Sequence, residues 1–365
     1  MKLNVAIVGC GWAAEWQVHD GFAGLPQLFA VVAVCDSDES RARSFAARHG
    51  IDHAVTRYTE LLALPDVDVI VVCTPPTLHC PMMIAALEAG RHVICEKPFV
   101  ASLAELDRVV AAEAASRGRV MPIFQYRFGD GIARVRHVIR SGLAGRHYMS
   151  AVETAKRRGP DYYAVAWRGK FASELGGVLL TQAIHVHDLL TWLVGRPALV
   201  SCFKTTRVNP IEVEDCAVAS IRLADGSLAS LSATLGSARQ ATRIRLYFEH
   251  ATFERECFDE DSRKPANEPW TVLPRNPETG PVLAAKMAEV APAHGWFTRQ
   301  FELFHAAIVD GGPLPVTLDD ARISIELITA MFHSDATGEA VRLPLPDDHP
   351  RYRGWLPAAD GAAER

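Results

Sequence analysis

No stretch of this 365-residue chain stays apolar for the roughly 18 residues that a membrane-spanning helix needs. Nor does one sign of charge dominate. The 38 Lys and Arg against 43 Asp and Glu leave a net charge of -5, which argues against nucleic acid or an anionic membrane surface as a partner. The eight cysteines never form a Cys-x-x-Cys pair, and Cys35, Cys73 and Cys95 fall in apolar runs. A disulfide framework and a zinc site are therefore both unexpected, and no metal ligands are assigned. The cysteines read as reduced core residues of a cytoplasmic protein. Met1-Lys2-Leu3 opens as a secretory signal would, but glycines interrupt the apolar run after Val8. Internal repeats and low-complexity tracts are also missing. What remains is an ordinary globular composition, in a chain too long for one core, so two domains are expected.

The most informative stretch is Val5 to Ala14. A short apolar run, Val5 to Val8, suits a buried strand and breaks at Gly9-Cys10-Gly11, with Trp12 beside them. Ala14 completes a G-x-G-x-x-A spacing, and helix-compatible residues follow from Glu15. Gly9 allows the tight turn, Gly11 lets backbone approach a pyrophosphate, and Ala14 lets helix pack on strand. The following helix N-terminus offers free N–H groups to phosphates. A second apolar run, Ala30 to Cys35, ends at Asp36, whose carboxylate suits the adenosine ribose hydroxyls.

Strand and helix then alternate. Glu39 to His49 reads as a helix closed by Gly50. A run from Val67 to Cys73 ends at Thr74-Pro75-Pro76, with His79 shortly after. His92 to Cys95 ends at Glu96-Lys97-Pro98, helix Leu103 to Arg117 follows, and Val120 to Phe124 leads to Gln125. This grammar predicts a doubly wound parallel sheet with helices on both faces and its ligand outside the carboxyl ends of the strands. Gly9, Asp36, Thr74, Glu96, Lys97 and Gln125 all fall at such ends.

Beyond Phe124 the pattern changes. Helices are expected at Ile132 to Ser141, Thr298 to Val309 and Leu318 to Ser334, and a single apolar one at Val178 to Val194. Alternation at Ala217 to Leu223 and Ala229 to Leu235 around Asp225-Gly226 predicts a hairpin, with further strands at Thr242 to His250 and Ala251 to Cys257. Residues 262–281 read as a long surface loop, and the stretch from Asp347 as an extended polar tail. The expected division is a dinucleotide-binding domain at 1–122, a substrate and oligomerisation domain at 123–345 and a tail at 346–365.

Two residues stand out for chemistry. Lys97, aimed at the predicted crevice, can donate to a substrate oxygen, or can simply pair with Glu96 at the surface. His185 lies on one helical face with Thr181, Asp188 and Trp192, whereas His187 is turned away; it can take a hydroxyl proton, or be a core histidine with a satisfied ring. A third set, Gln125, Tyr126, Arg127, Tyr162, Tyr163, Trp167, Arg168 and Lys170, combines aromatic faces with cationic donors. Such a set suits a hydroxyl-rich ligand or plain interdomain packing.

Taken in order, Gly9-Cys10-Gly11 to Ala14, Thr74-Pro75, Glu96-Lys97-Pro98, Gly176-Gly177 with His185 and Asp188-Leu189-Leu190, and Ala340 to Pro344 resemble the Gfo/Idh/MocA family of sugar and polyol dehydrogenases. The resemblance implies an α/β architecture: an N-terminal Rossmann domain, then an α/β domain with a large, mostly antiparallel open sheet that serves as a dimer or tetramer interface. It implies an NAD(P)-dependent enzyme acting on a sugar or cyclic polyol, with Lys97 on the reacting oxygen and His185 as general base. Cofactor contacts would come from Gly9, Gly11, Trp12, Ala14, Asp36, Thr74, Pro75, His79, Glu96, Lys97 and Gln125. Substrate contacts would come from Lys97, Arg127, Tyr163, Trp167, Arg168, Thr181, Gln182 and His185. Asp36 resembles NAD-preferring rather than NADP-preferring members. One departure is Thr181-Gln182, where many members carry an aspartate. Two other functions fit the same fold: a glycosidase that recycles its NAD, and a regulator that senses NAD or sugar without catalysis.

Overall fold

The computed structural model describes residues 1–355. The first third alternates strictly: β1 (Leu3–Val8), α1 (Trp12–Asp20), β2 (Phe29–Cys35), α2 (Glu39–His49), β3 (His53–Val55), α3 (Tyr58–Leu62), β4 (Val69–Val72), α4 (His79–Glu88), β5 (His92–Cys95), α5 (Leu103–Ala114) and β6 (Val120–Pro122). The strands form one parallel sheet in the order β3-β2-β1-β4-β5-β6. Strands covered on both faces need apolar side chains at successive positions, and every residue of β4 is buried. The strand order reverses between β1 and β4, which opens the ligand crevice beside the carboxyl end of β1. Asp38 caps α2 by accepting from the Arg41 N–H at 3.0 Å, and Gly50 ends it in the left-handed conformation.

The remainder contains α6 (Asp130–Arg140), β7 (His147–Arg157), α7 (Pro160–Tyr163), α8 (Phe171–Glu174), α9 (Val178–Thr181), α10 (Ile184–Val194), β8 (Pro197–Thr205), β9 (Cys216–Leu223), β10 (Leu228–Thr234), β11 (Gly236–Phe248), β12 (Ala251–Phe258), β13 (Thr271–Pro274), α11 (Thr279–Ala288), α12 (Trp296–Val309), α13 (Leu318–Thr337) and β14 (Val341–Arg342). Eight strands pair in the order β13-β12-β11-β7-β10-β9-β8-β14, all antiparallel except β7 with β10. The predicted hairpin is β9–β10, turning at Asp225-Gly226 with Gly226 at φ +89°. Its alternation is real. Ala217, Ala219, Ile221 and Leu223 face the buried side, whereas Val218, Ser220 and Arg222 face outward.

Three expectations change. The single helix over 178–194 is broken into α9 and α10, with the bend described below. Residues 262–281 are not one loop: they hold β13, the start of α11 and a buried Trp270 whose indole N–H donates to the Pro265 carbonyl at 3.0 Å. Residues 347–355 turn rather than extend. They seat Trp355 against α13 through an indole N–H to Thr329 Oγ1 bond of 2.9 Å, and Tyr352 donates to Asp107 on α5 at 2.8 Å. The rest of the predicted tail lies outside the described residues. Among those described, no single helix is long and apolar enough to cross a membrane, all eight cysteines are free, and no cluster of His, Cys, Asp or Glu has metal-binding geometry.

Candidate active site

The dinucleotide loop is shaped by two different uses of glycine. Gly9 has φ +90°, and a Cβ there would stand 2.7 Å from the backbone of Cys73 at the end of β4. Gly11 instead faces open space, with nothing within 4 Å of a Cβ position, and it caps α1 with no side-chain bond. The first-turn N–H groups of α1 are thus left for a ligand oxygen, and Ala14 is fully buried against the sheet. Asp36, at the end of β2, accepts from the Cys10 N–H (2.9 Å), the Asp38 N–H (3.0 Å) and Arg41 Nη1 (2.8 Å). This cradle, with backbone donors and an acidic strand end on neighbouring strands, fits a dinucleotide.

At the ends of β4 and β5 the predicted residues divide. Thr74 and Pro75 are half-buried at the crevice rim. His79 is not a ligand-facing group: its ring is buried between the Pro98 carbonyl (2.9 Å) and the Thr74 carbonyl (2.8 Å), tying two strand-end loops together. Burial lowers its pKa, and a neutral ring donates to only one of those carbonyls. Glu96 is buried, accepts from Gln17 Nε2 (2.7 Å) and the Lys97 N–H (3.1 Å), and is pushed upward by burial. Trp12 is largely exposed at the loop, and Gln125 is buried with its Oε1 unpartnered.

Lys97 reaches out of the first domain. Its Nζ donates to the Thr181 carbonyl at 2.9 Å, across 84 positions of sequence. That carbonyl is available because the helix breaks there. Thr181 Oγ1 bonds back to the Gly177 carbonyl (2.8 Å), Gln182 leaves helical geometry, and the Ala183 N–H reaches back five residues to Val178 (2.8 Å). The polar stripe expected of a continuous helix therefore separates. Thr181 meets Lys97, whereas Asp188 and Trp192 turn to Arg127 and Arg136. The start of α9 is pinned by Glu214, whose carbonyl accepts from Val178 and whose carboxylate accepts from Leu179.

His185 begins the next helix. Its ring stacks on Tyr126 with centroids 4.7 Å apart, and Nδ1 is buried without a partner. Burial first, then the nearby Lys97, Lys156 and His187, hold its pKa well below the ordinary imidazole value. Burial likewise lowers the Lys97 ammonium, with Glu96 opposing the shift. A cluster of aromatic and cationic side chains adjoins them, with Arg168 acting on Lys97. Arg168 covers the Tyr162 ring at 3.9 Å and the Trp167 ring at 4.6 Å, Gln182 Nε2 donates to the Tyr162 hydroxyl at 3.2 Å, and Tyr163 packs edge-on against Tyr162. Lys170 is exposed.

Arg127 departs from its predicted place among the substrate donors. Its side chain is 2% exposed, forks onto Asp188 through Nε (2.8 Å) and Nη2 (2.5 Å), and reaches Asp320 through Nη1 at 2.9 Å. Nothing of its donor edge faces the crevice. Conversely, Lys156, Arg158 and Glu174 join the site without having been singled out in the sequence. The signal was modest: Lys156 and Arg158 fall on alternate positions at the end of β7, both directed to the covered side.

A description "Oxidoreductase family, NAD-binding Rossmann fold" matches residues 3–124, and "GFO/IDH/MocA C-terminal domain" matches residues 132–254. The chain belongs to the Gfo/Idh/MocA family. Within the family, it is 28% identical over 317 residues to the 1,5-anhydro-D-fructose reductase of Ensifer adhaerens, covering 86% of this chain and 91% of that protein. It is 32% identical to the D-glucoside 3-dehydrogenase of Escherichia coli, over 54% of this chain and 56% of the relative. The WlbA dehydrogenase of Bordetella pertussis, solved with NADH and UDP-GlcNAcA, superposes with a TM-score of 0.81 at 25% identity, covering 95% of this chain and 100% of that one. Residues 3–124 are thus an NAD-binding Rossmann domain and the protein an oxidoreductase.

A buried imidazole near the site also bears on stability. His187 is 1% exposed, neither ring nitrogen has a partner, and burial pushes its pKa down to about 3. The unfolded chain binds that proton near the ordinary value of about 6.5. Stability from the neutral ring is therefore complete above that value and is lost as pH falls towards about 3. Melting temperature measured from pH 7.5 to 4.5 is expected to fall less steeply in His187→Leu than in the parent; equal slopes would refute this.

Proposed function

We propose that the protein moves a hydride between NAD and a secondary alcohol of a sugar or cyclic polyol, with Lys97 and His185 acting on the reacting oxygen. The observation that carries this reading is that Lys97, at a strand end of the Rossmann sheet, bonds the Thr181 carbonyl four residues before His185 and acts electrostatically on that ring. One group comes from the first domain, the other from the broken helix of the second, beside an aromatic and cationic cluster. The relatives' names, for net oxidation or reduction of sugars, support hydride transfer over a recycled cofactor or a sensor.

When bound, the nicotinamide supplies the hydride acceptor or donor. Gly9, Gly11 and the first turn of α1 would hold the pyrophosphate and Asp36 the adenosine ribose, with Thr74 and Pro75 at the rim. In the direction of oxidation, Lys97 Nζ donates to the substrate oxygen and the neutral His185 ring accepts its proton. The carbonyl forms as hydride leaves carbon with both electrons. Thr181 takes part through its backbone, because its hydroxyl is committed to Gly177. A carbonyl that orients Lys97 does not require a carboxylate side chain at that position.

The test mixes the protein with NAD or NADP and a panel of aldoses, inositols, anhydrosugars and uronic acids, following reduced-nicotinamide absorbance. NAD is expected to be preferred by about tenfold or more, because Asp36 repels a 2′-phosphate. A preference for NADP would overturn the role given to Asp36, and reduction of neither cofactor across the panel would count against hydride transfer itself.

A further inference from the structure

Around His185 the charges do not balance. Lys97 Nζ bonds to a neutral carbonyl. Lys156, 3% exposed, donates to Ser262 Oγ (2.8 Å), the Ser262 carbonyl (2.9 Å) and Thr242 Oγ1 (3.3 Å), all neutral. Arg158 donates to the Arg157 carbonyl (2.9 Å), Gln240 Oε1 (3.1 Å) and Gln182 Oε1 (3.0 Å), and its Nε is buried without a partner. The nearby carboxylates, Glu96 and Glu174, act on Lys97, and neither acts on Arg158. Glu174 holds the Gly169 N–H and faces Arg168 at 3.5 Å, and Glu96 holds Gln17 and its own neighbour's N–H. None of the ion pairs among the described residues includes Lys97, Lys156 or Arg158.

Two lysines can relieve such crowding by shedding protons, and burial does lower both, Lys156 to about 7. A guanidinium cannot. Arg158 therefore stays cationic, mostly buried and uncompensated, which is costly unless an anion completes the site. The oxidised nicotinamide adds a further positive charge, so the cofactor does not supply that anion at this end. Gln182, next in sequence to the Thr181 whose carbonyl Lys97 bonds, and the Tyr162 ring, 5.0 Å away, hold the Arg158 guanidinium on the Lys97 side of the site.

We infer that the substrate is an acidic sugar, whose carboxylate is received by Arg158 while Lys97 and His185 act on its hydroxyl. The unpartnered Nε–H and the one N–H that Nη2 keeps beyond its bond to Gln182 are the donors left for a carboxylate. A carboxylate bound there also gives the imidazolium formed during oxidation an anion within the same pocket. This inference rests on the dehydrogenase reading above, and it deepens that reading by naming the substrate class.

The experiment compares matched sets: an aldose, its uronic acid and its 6-phosphate, in the gluco, galacto and manno series. Binding to the enzyme–NADH complex is followed by calorimetry, and turnover by NAD reduction. In at least one series the uronic acid is expected to bind, and to be oxidised, about 30-fold or more better than the aldose. In Arg158→Gln that acid-to-neutral ratio should collapse towards one, and Arg158→Lys should recover part of it. Because the readout is a ratio within each variant, it does not depend on how much of the variant is folded. Equal binding of acid and aldose in every series overturns the inference whether or not either is oxidised. So does a preference for the phosphate, or a ratio unchanged in Arg158→Gln. Uronic acids that bind preferentially through Arg158 but reduce no NAD would uphold the inference and refute the dehydrogenase reading.

Discussion

His185→Ala is expected to lower kcat by about 10³-fold, and Lys97→Ala by a similar factor, while NADH still binds. The separation follows from where the groups sit. The dinucleotide cradle is built from β1, β2 and the start of α1, whereas Lys97 Nζ bonds the carbonyl at the break between α9 and α10, and His185 stands just after that break. On the proposed mechanism, removing the ring takes away the proton acceptor. Removing the ammonium takes away the donor to the oxygen on which charge develops. The two losses should not add: the double variant is expected near the slower single one, since both groups act on one oxygen. NADH fluorescence titration checks the binding, and pre-steady-state absorbance checks the hydride step. The pH profile supplies a further check. The base must be deprotonated to act, and burial with neighbouring cations keeps His185 well below the ordinary imidazole value. The acidic limb of kcat/KM should therefore lie well below pH 6.5. Normal turnover in both alanine variants would remove these assignments.

Arg127→Met is expected to destabilise the protein by about 3–5 kcal/mol, the cost of leaving a buried carboxylate unpaired. Arg127 follows the last strand of the first sheet, and its fork on Asp188 and third bond to Asp320 tie that junction to α10 and to the start of α13. Asp320 is itself the capping-box residue of α13, accepting from the Thr317 N–H at 2.8 Å. One guanidinium thus joins three elements, and each loses a partner in the variant. Pairing the change with Asp188→Leu should recover part of the loss, because a neutral, apolar pair no longer buries a charge. Urea unfolding midpoints of the single and double variants measure both effects. A single-variant loss below about 1 kcal/mol would place Arg127 among ordinary surface pairs.

Residues that perform local backbone tasks are legible in the sequence itself. Gly9, Gly11 and Ala14 do their work through turn geometry and close packing, which depend on spacing and residue size alone. The β-branched run into Thr74, the strand ending at Glu96-Lys97 and the alternation around Asp225-Gly226 are likewise periodic signals, and periodicity reports which face is buried. The parallel sheet, and a ligand crevice at its strand ends, followed from strict alternation of strand and helix.

The broken helix was not legible. Residues 178–194 contain neither proline nor glycine, so propensity keeps them continuous. The break is tertiary: the Glu214 anchor at the start of α9 and the Lys97 ammonium at its end stabilise a geometry that local preference does not choose.

Partner choice separated what the chain alone determined from what folding decided. By itself the sequence determined the two-domain α/β fold and the dinucleotide loop, because each is written in spacing. Only the tertiary structure decided that Arg127 is a strut, that His79 ties two loops, and that Lys156 near His185 and Arg158 near Lys97 have no ion-pair partner among the described residues. Those outcomes depend on which groups from distant segments desolvate one another, and a buried charge takes its meaning from the neighbours packed against it.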